Sequence, residues 1–224
     1  MLVEEASIGV ESGADEYMFG DVTAVAADGR RIIVADGQAD AVRTYDYAGR
    51  FLQEIGSHGQ GPGEFTGIWA VAGNSAGEVY ILDVRRVVVY DSNGTHTRTF
   101  SVPSAASGLP LYPSAEGAAW IPIAERDRET GERRYGVQEY AGDGPRGALL
   151  YAPEIEFEPI TYTSGGREVS VPLGPSTQWG PTPTGGVFVG AGDRYRFEVH
   201  HPDGSVLVVE KPWEPIPYPG EEIE

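Results

Sequence analysis

The chain has 224 residues, enough to bury a real core, and no cysteine, which excludes disulfides, thiol catalysis and cysteine metal sites. Its net charge of −18 opposes nucleic-acid binding through phosphate contacts and docking on anionic lipid. No apolar run approaches the roughly 18 residues a membrane span needs, so no membrane insertion is expected, and nothing like a signal peptide precedes Val3. The acidic residues are dispersed except at Glu221, Glu222 and Glu224, as in a solvated, self-repelling surface.

Residues 1–10 read as an outer strand, Val3 to Ile8, that closes a blade made elsewhere in the chain. Gly20 to Ala27 then begins a set of four strands. Val22, Ala24 and Ala26 share one face. Arg31–Ala35, Ala41–Tyr45 and Phe51–Ile55 follow, each β-branched or aromatic and each bounded by Gly or Asp, the mark of strands joined by tight turns. Gly56 to Phe65 is a loop of four glycines and a proline, closed to helix.

The set recurs. Glu78–Asp83 answers Arg31–Asp36 after 47 residues, and Val87–Gly94 answers Val42–Gly49 after 45. Ile8-Gly9 matches Ile55-Gly56 at 47, and Phe19 matches Phe65 at 46. A period in the mid-forties with about four short strands indicates a propeller blade. The expected fold is therefore all-β: four-stranded antiparallel blades over 18–56, 65–100, 109–152 and 177–211. The third blade is degenerate, with a charged hairpin loop from Glu125 to Arg134. An insertion at 153–176 alternates around Ser164-Gly165-Gly166 as a hairpin would, and the proline-rich exit at 212–224 is unfit for helix and poor as strand.

These motifs resemble the NHL-type six-bladed β-propellers, and bacterial proteins described as six-bladed β-propeller proteins in particular. Gly29–Asp36 fits the Gly-Arg-Ile-Tyr-Val-Ala-Asp blade motif, and Val42–Phe51 fits Ile-Arg-Val-Phe-Asp-x-x-Gly-Arg-Phe. Gly56–Phe65 fits the interblade Gly-x-x-Gly-x-Gly-Pro-Gly-Glu-Phe loop, the most specific piece, and Gly192–Tyr195 with Pro202–Gly204 fits a later blade. The resemblance implies six blades where four and a leading strand are countable. A C-terminal third lying outside this chain is the expectation, and a true four-bladed ring is the alternative. The resemblance also implies export, to a periplasm or cell envelope, but no settled chemistry.

Candidate chemistry is sparse. Asp36 and Asp83 end equivalent second strands, so symmetry places them on one rim, where they either cap their own turns or build an acidic rim for Ca²⁺. With Arg85 and Arg86 they are the candidate ligand-binding residues. No other cofactor is expected. The arginines at 126, 128, 133 and 134 are either paired with neighbouring acids or available to an anion or protein. Trp69, Trp120 and Trp179 are expected to pack between blades. His58, His96 and the His200-His201 pair do not converge, since adjacent strand residues point to opposite faces. Neither Ser57 nor Ser92 has a histidine partner for a hydrolase triad, and the glycine-rich loop lacks the Gly-Lys-Ser/Thr ending of a phosphate loop. The favoured function is a non-catalytic scaffold for a protein, peptide or glycan. The alternative is a metal-dependent lactonase or lyase acting in a central channel, as in related propellers. If blades are missing, their exposed neighbours are expected to drive association.

Overall fold

The computed structural model describes residues 6–103, 105–155, 161–170 and 176–212. These form four antiparallel four-stranded blades in a propeller arrangement. Blade one holds β1 (Val22–Ala27), β2 (Ile32–Asp36), β3 (Ala41–Tyr45) and β4 (Phe51–Ile55). Two short strands, β5 (Ser57–His58) and β6 (Glu64–Phe65), pair in parallel across the glycine-rich loop. Blade two holds β7 (Ile68–Gly73), β8 (Val79–Asp83), β9 (Arg86–Tyr90) and β10 (His96–Ser101). Blade three holds β11 (Tyr112–Pro113), β12 (Ala119–Arg126), β13 (Arg133–Ala141) and β14 (Gly144–Tyr151). The hairpin β15 (Thr161–Ser164) and β16 (Arg167–Ser170) lies within the expected insertion. Blade four holds β17 (Thr177–Pro181), β18 (Val187–Ala191), β19 (Arg196–His200) and β20 (Val206–Glu210).

Alternation explains the packing. In β8, Val79 and Ile81 enter a core shared with Ile33, Ala35, Val42 and Ile55 of blade one. Their neighbours Tyr80 and Leu82 enter a second core with Leu111, Ala119, Ile121 and Ile123 of blade three. In β9, Val88 and Tyr90 go one way and Val87 and Val89 the other. Blade two is thus buried on both faces, which is why its strands read as unbroken apolar runs. A third core joins Val137 of blade three to Val187 and Val189 of blade four, with Trp120 and Trp179 packed against it. Trp69 packs against the core between blades two and three.

One expectation about a strand changes, and another lies partly outside the described residues. The alternation in β1 is broken by a bulge between Val22 and Ala24, so Ala24 and Ala26 face blade two while Val22 is exposed. Of the expected closing strand, residues 1–5 lie outside the described residues and 6–10 carry no strand. Ser7 and Ile8 lie instead against Gly49, in the β3–β4 turn of blade one. The following segment covers the face of blade one that points away from blade two. Tyr17 and Phe19 pack on the buried Tyr45 ring, and Arg43 donates to the carbonyl of Met18 at 3.1 Å. The exit segment, 213–224, lies outside the described residues.

A repeated joint fixes each blade to the one before it. Every first turn carries a glycine with positive φ: Gly29 (81°), Gly77 (85°), Gly117 (74°) and Gly185 (80°). The carbonyl of Gly77 accepts from Arg31 of blade one, and that of Gly117 accepts from Arg98 of blade two. Gly185 rests on the indole of Trp120, where an added Cβ would come within 2.6 Å of the ring. A Cβ at Gly29 would meet nothing within 4 Å. Gly29→Ala is therefore expected to lower stability by about 1 kcal/mol, the left-handed backbone penalty alone. Gly185→Ala is expected to lower it by about 3 kcal/mol, because the indole must also move. Equal shifts in chemical-denaturation midpoint would show that the joint carries no packing energy.

Candidate functional site

Asp36 and Asp83 are the most regular polar feature of one rim, and their carboxylates are engaged in the fold. Asp36, 1% exposed, accepts from the amides of Gly20 and Asp21 at the entry to β1 and from Gln38 and Ala39 in its own turn. Asp83, 3% exposed, accepts from Thr66 and Gly67 at the entry to β7, and from Arg86 Nε at 2.7 Å. In blades one and two the end of the second strand thus latches the start of the first. Burial alone would raise the Asp36 carboxyl, but the amides of Gly20, Asp21, Ala39 and Gln38 outweigh it and hold the group below 3.8. Arg86 also donates to the carbonyls of Gln60, Gly59 and Glu64, pinning the glycine-rich loop. Arg85 is exposed at the turn. Its carbonyl accepts from Val102 at 2.6 Å.

Blades three and four lack this aspartate. Ile123 and Ala191 stand at the equivalent positions. In blade three the segment after β10 is held by main chain instead: Ala105 bridges Ile123 and the amide of Ala106 donates to Pro122. There β12 runs on to Arg126 and pairs with β13 from Arg133. The charged loop expected from Glu125 to Arg134 shrinks to the turn 127–132.

The longer hairpin walls two adjoining depressions on the same rim. One, of about 670 Å³, lies between Arg133, Arg134, Tyr135, Tyr151, Glu154 and Trp179. The other, of about 440 Å³, lies between Trp69, Ala105, Glu125, Arg126, Arg133 and Tyr135. Arg133 and Tyr135 line both. Tyr135 and Trp179 stack with centroids 5.1 Å apart and planes tilted 35°. The Arg134 guanidinium sits 3.9 Å over the Tyr151 ring. The Tyr151 hydroxyl donates to Glu125 at 3.0 Å, and that hydrogen bond raises its pKa. Arg126 donates to the carbonyl of Gly131. Among the described residues no carboxylate lies within ion-pair distance of Arg133.

None of Asp36, Asp83, Arg85 and Arg86 lines this groove. Of the residues that do, Trp69 and Trp179 were expected to pack between blades, and Arg126, Arg133 and Arg134 either to pair with acids or to meet an anion or protein. The signal in the sequence is the missing aspartate at the end of the third blade's second strand, followed by arginines and Tyr135, a pattern that Ala191, Arg194 and Tyr195 repeat in blade four. The histidines are dispersed, with His58 on Asp40, His96 on Thr99 and His200 on Glu198. Among the described residues no three His, Cys, Asp or Glu side chains converge as metal donors would.

A family model described as 6-bladed beta-propeller (DUF5128) matches residues 12–127, just over half of the 224-residue chain. The chain belongs to this six-bladed β-propeller family. No curated protein shows significant sequence similarity to it. Among solved structures, a Bacteroides fragilis NCTC 9343 protein described as exported is 13% identical, with a TM-score of 0.59 over 91% of this chain and 54% of that one. A Bacteroides caccae protein of unknown function is 14% identical, with a TM-score of 0.46 over 84% of this chain and 60% of that one. Virginiamycin B lyase from Staphylococcus aureus is 14% identical, with a TM-score of 0.44 over 86% of this chain and 71% of that one. The chain thus spans between about half and three-fifths of the length of the two Bacteroides structures.

Two measurements follow from this geometry. A carboxyl held below its unfolded value stabilises the fold above that value and ceases to as pH falls through the lowered one. The stability contributed by Asp36 is therefore present above about pH 4 and lost below it. Asp36→Asn is expected to lose about 2 kcal/mol at neutral pH and to show a shallower fall in urea stability at acid pH. A variant with the wild-type slope would mean that the latch carboxylate does not govern it. Glu125→Gln, with tyrosine ring carbons followed by NMR, is expected to bring the Tyr151 titration down toward 10. An unmoved titration would show that the hydrogen bond is not what raises it.

Proposed function

We propose that the protein is a non-catalytic binding scaffold that engages its ligand in the groove walled by the third blade's hairpin. The observation that carries this reading is the pair of adjoining depressions sharing Arg133 and Tyr135. Their volumes fall in the range of small-ligand pockets, and the lining mixes half-buried rings with a few charged groups, as such sites do. Inter-blade cores lie beneath the groove on both sides of blade three, which supports a site built on strands. Export is proposed as well, as described for the Bacteroides fragilis protein. Among the described residues no helix is long and apolar enough to cross a membrane. The alternative, a metal-dependent lactonase or lyase in the channel, is favoured by no specific observation here.

The test is binding of the whole chain to printed glycan and peptide arrays, with Arg133→Glu and Tyr135→Leu beside the wild type. Selective binding is expected, weakened at least about tenfold by either change while the circular dichroism melt stays close to wild type. Binding that both variants retain would place the site elsewhere.

A further inference from the structure

We infer that the groove takes a short acidic oligosaccharide, with one sugar-ring carboxylate on Arg133 and the flanking rings on the aromatic platforms to either side. This rests on the binding reading above. Arg133 and Tyr135 are two residues apart on β13, so they project from the same side of the strand. Trp179 backs the depression on one side of them and Trp69 the depression on the other. One arginine shared by two depressions, each lined by a tryptophan, suits a chain of rings rather than a single one.

Charge narrows the class further. The molecule carries a net −18, yet its groove lining gathers Arg126, Arg133 and Arg134 against only Glu125 and Glu154. Arg134 is occupied by the Tyr151 ring and Arg126 by the Gly131 carbonyl, which leaves Arg133 to the ligand. A planar guanidinium binds a carboxylate through two parallel hydrogen bonds. A long polyanion would be repelled by the rest of the surface, so the ligand carries few charges. Glu154 accepts hydrogen bonds and repels anions, so it calls for hydroxyl donors around the carboxylate. Sugars supply both, and the C–H face of a pyranose packs on an aromatic ring by dispersion. A peptide adding as a further strand would instead need a free strand edge at the groove. Here β12 and β13 pair with each other from Ala124↔Tyr135 to Arg126↔Arg133, so their facing main-chain groups are already used.

The experiment is isothermal titration of the full chain with trigalacturonate, maltotriose and the peptide Glu-Glu-Glu. Trigalacturonate is expected to bind, and maltotriose and the peptide at least about tenfold more weakly. Arg133→Met is expected to weaken trigalacturonate about 30-fold, Arg133→Lys less, and Arg128→Met, on the same hairpin outside the lining, not at all. Absence of trigalacturonate binding, or equal maltotriose affinity, overturns the acidic-sugar inference and leaves the scaffold reading standing. Preference for the peptide does the same. Trigalacturonate binding that is indifferent to Arg133→Met overturns both.

Discussion

The structure depends on one constraint: an interior blade has two apolar faces and must bury both. Blade two shows the constraint satisfied. Consecutive residues of β8 and β9 enter different cores, so every side chain from Val79 to Leu82 is buried. No blade is a domain on its own, because each core is built from two neighbours. Stability is thus a property of interfaces between repeats more than of the repeats themselves. The glycine turns extend this logic to the rim. Each brings its backbone against the preceding blade, through Arg31, Arg98 or Trp120.

The buried aspartates tie the second strand to the first in blades one and two. Asp36 and Asp83 exchange water for backbone amides at the entry to the first strand, so the hairpin after them is short and tight. Where Ile123 replaces the acid, the chain is held by main-chain bonds, and β12 and β13 grow past the rim. In blade three the longer hairpin raises a wall of arginine and tyrosine beside the groove, whereas in blade four, where Ala191 replaces the acid, β18 still ends at that position. Repetition supplies the framework, and a local departure from it in blade three supplies the groove.

The blades were readable because their signals are local. Strand alternation, Asx-capped turns at Asp46 and Asp91 and left-handed glycines leave marks within a few residues, and the repeat multiplies them. The site was not, because it is assembled from residues far apart in sequence: Trp69, Tyr135 and Trp179 come from three blades. Periodicity cannot show that a tryptophan at a blade joint is also half open to a cleft. The same limit explains Asp36 and Asp83. Their equivalence was plain, but not the amides of the neighbouring strand that occupy them. In the N-terminal segment the Ile-Gly ending is the legible mark, while its aromatics, Tyr17 and Phe19, carry its packing.

That packing gives the stack a direction. On its outward side, blade one has Tyr45 sealed under Tyr17 and Phe19, with Tyr45 itself fully buried. Blade four has no such lid among the described residues. Phe188 is 36% exposed and Tyr195 52%, and with Phe197 they line an apolar hollow on its far side. The two outward faces are therefore chemically unlike: one is covered by aromatics of its own chain, and the other offers bare apolar surface among the described residues.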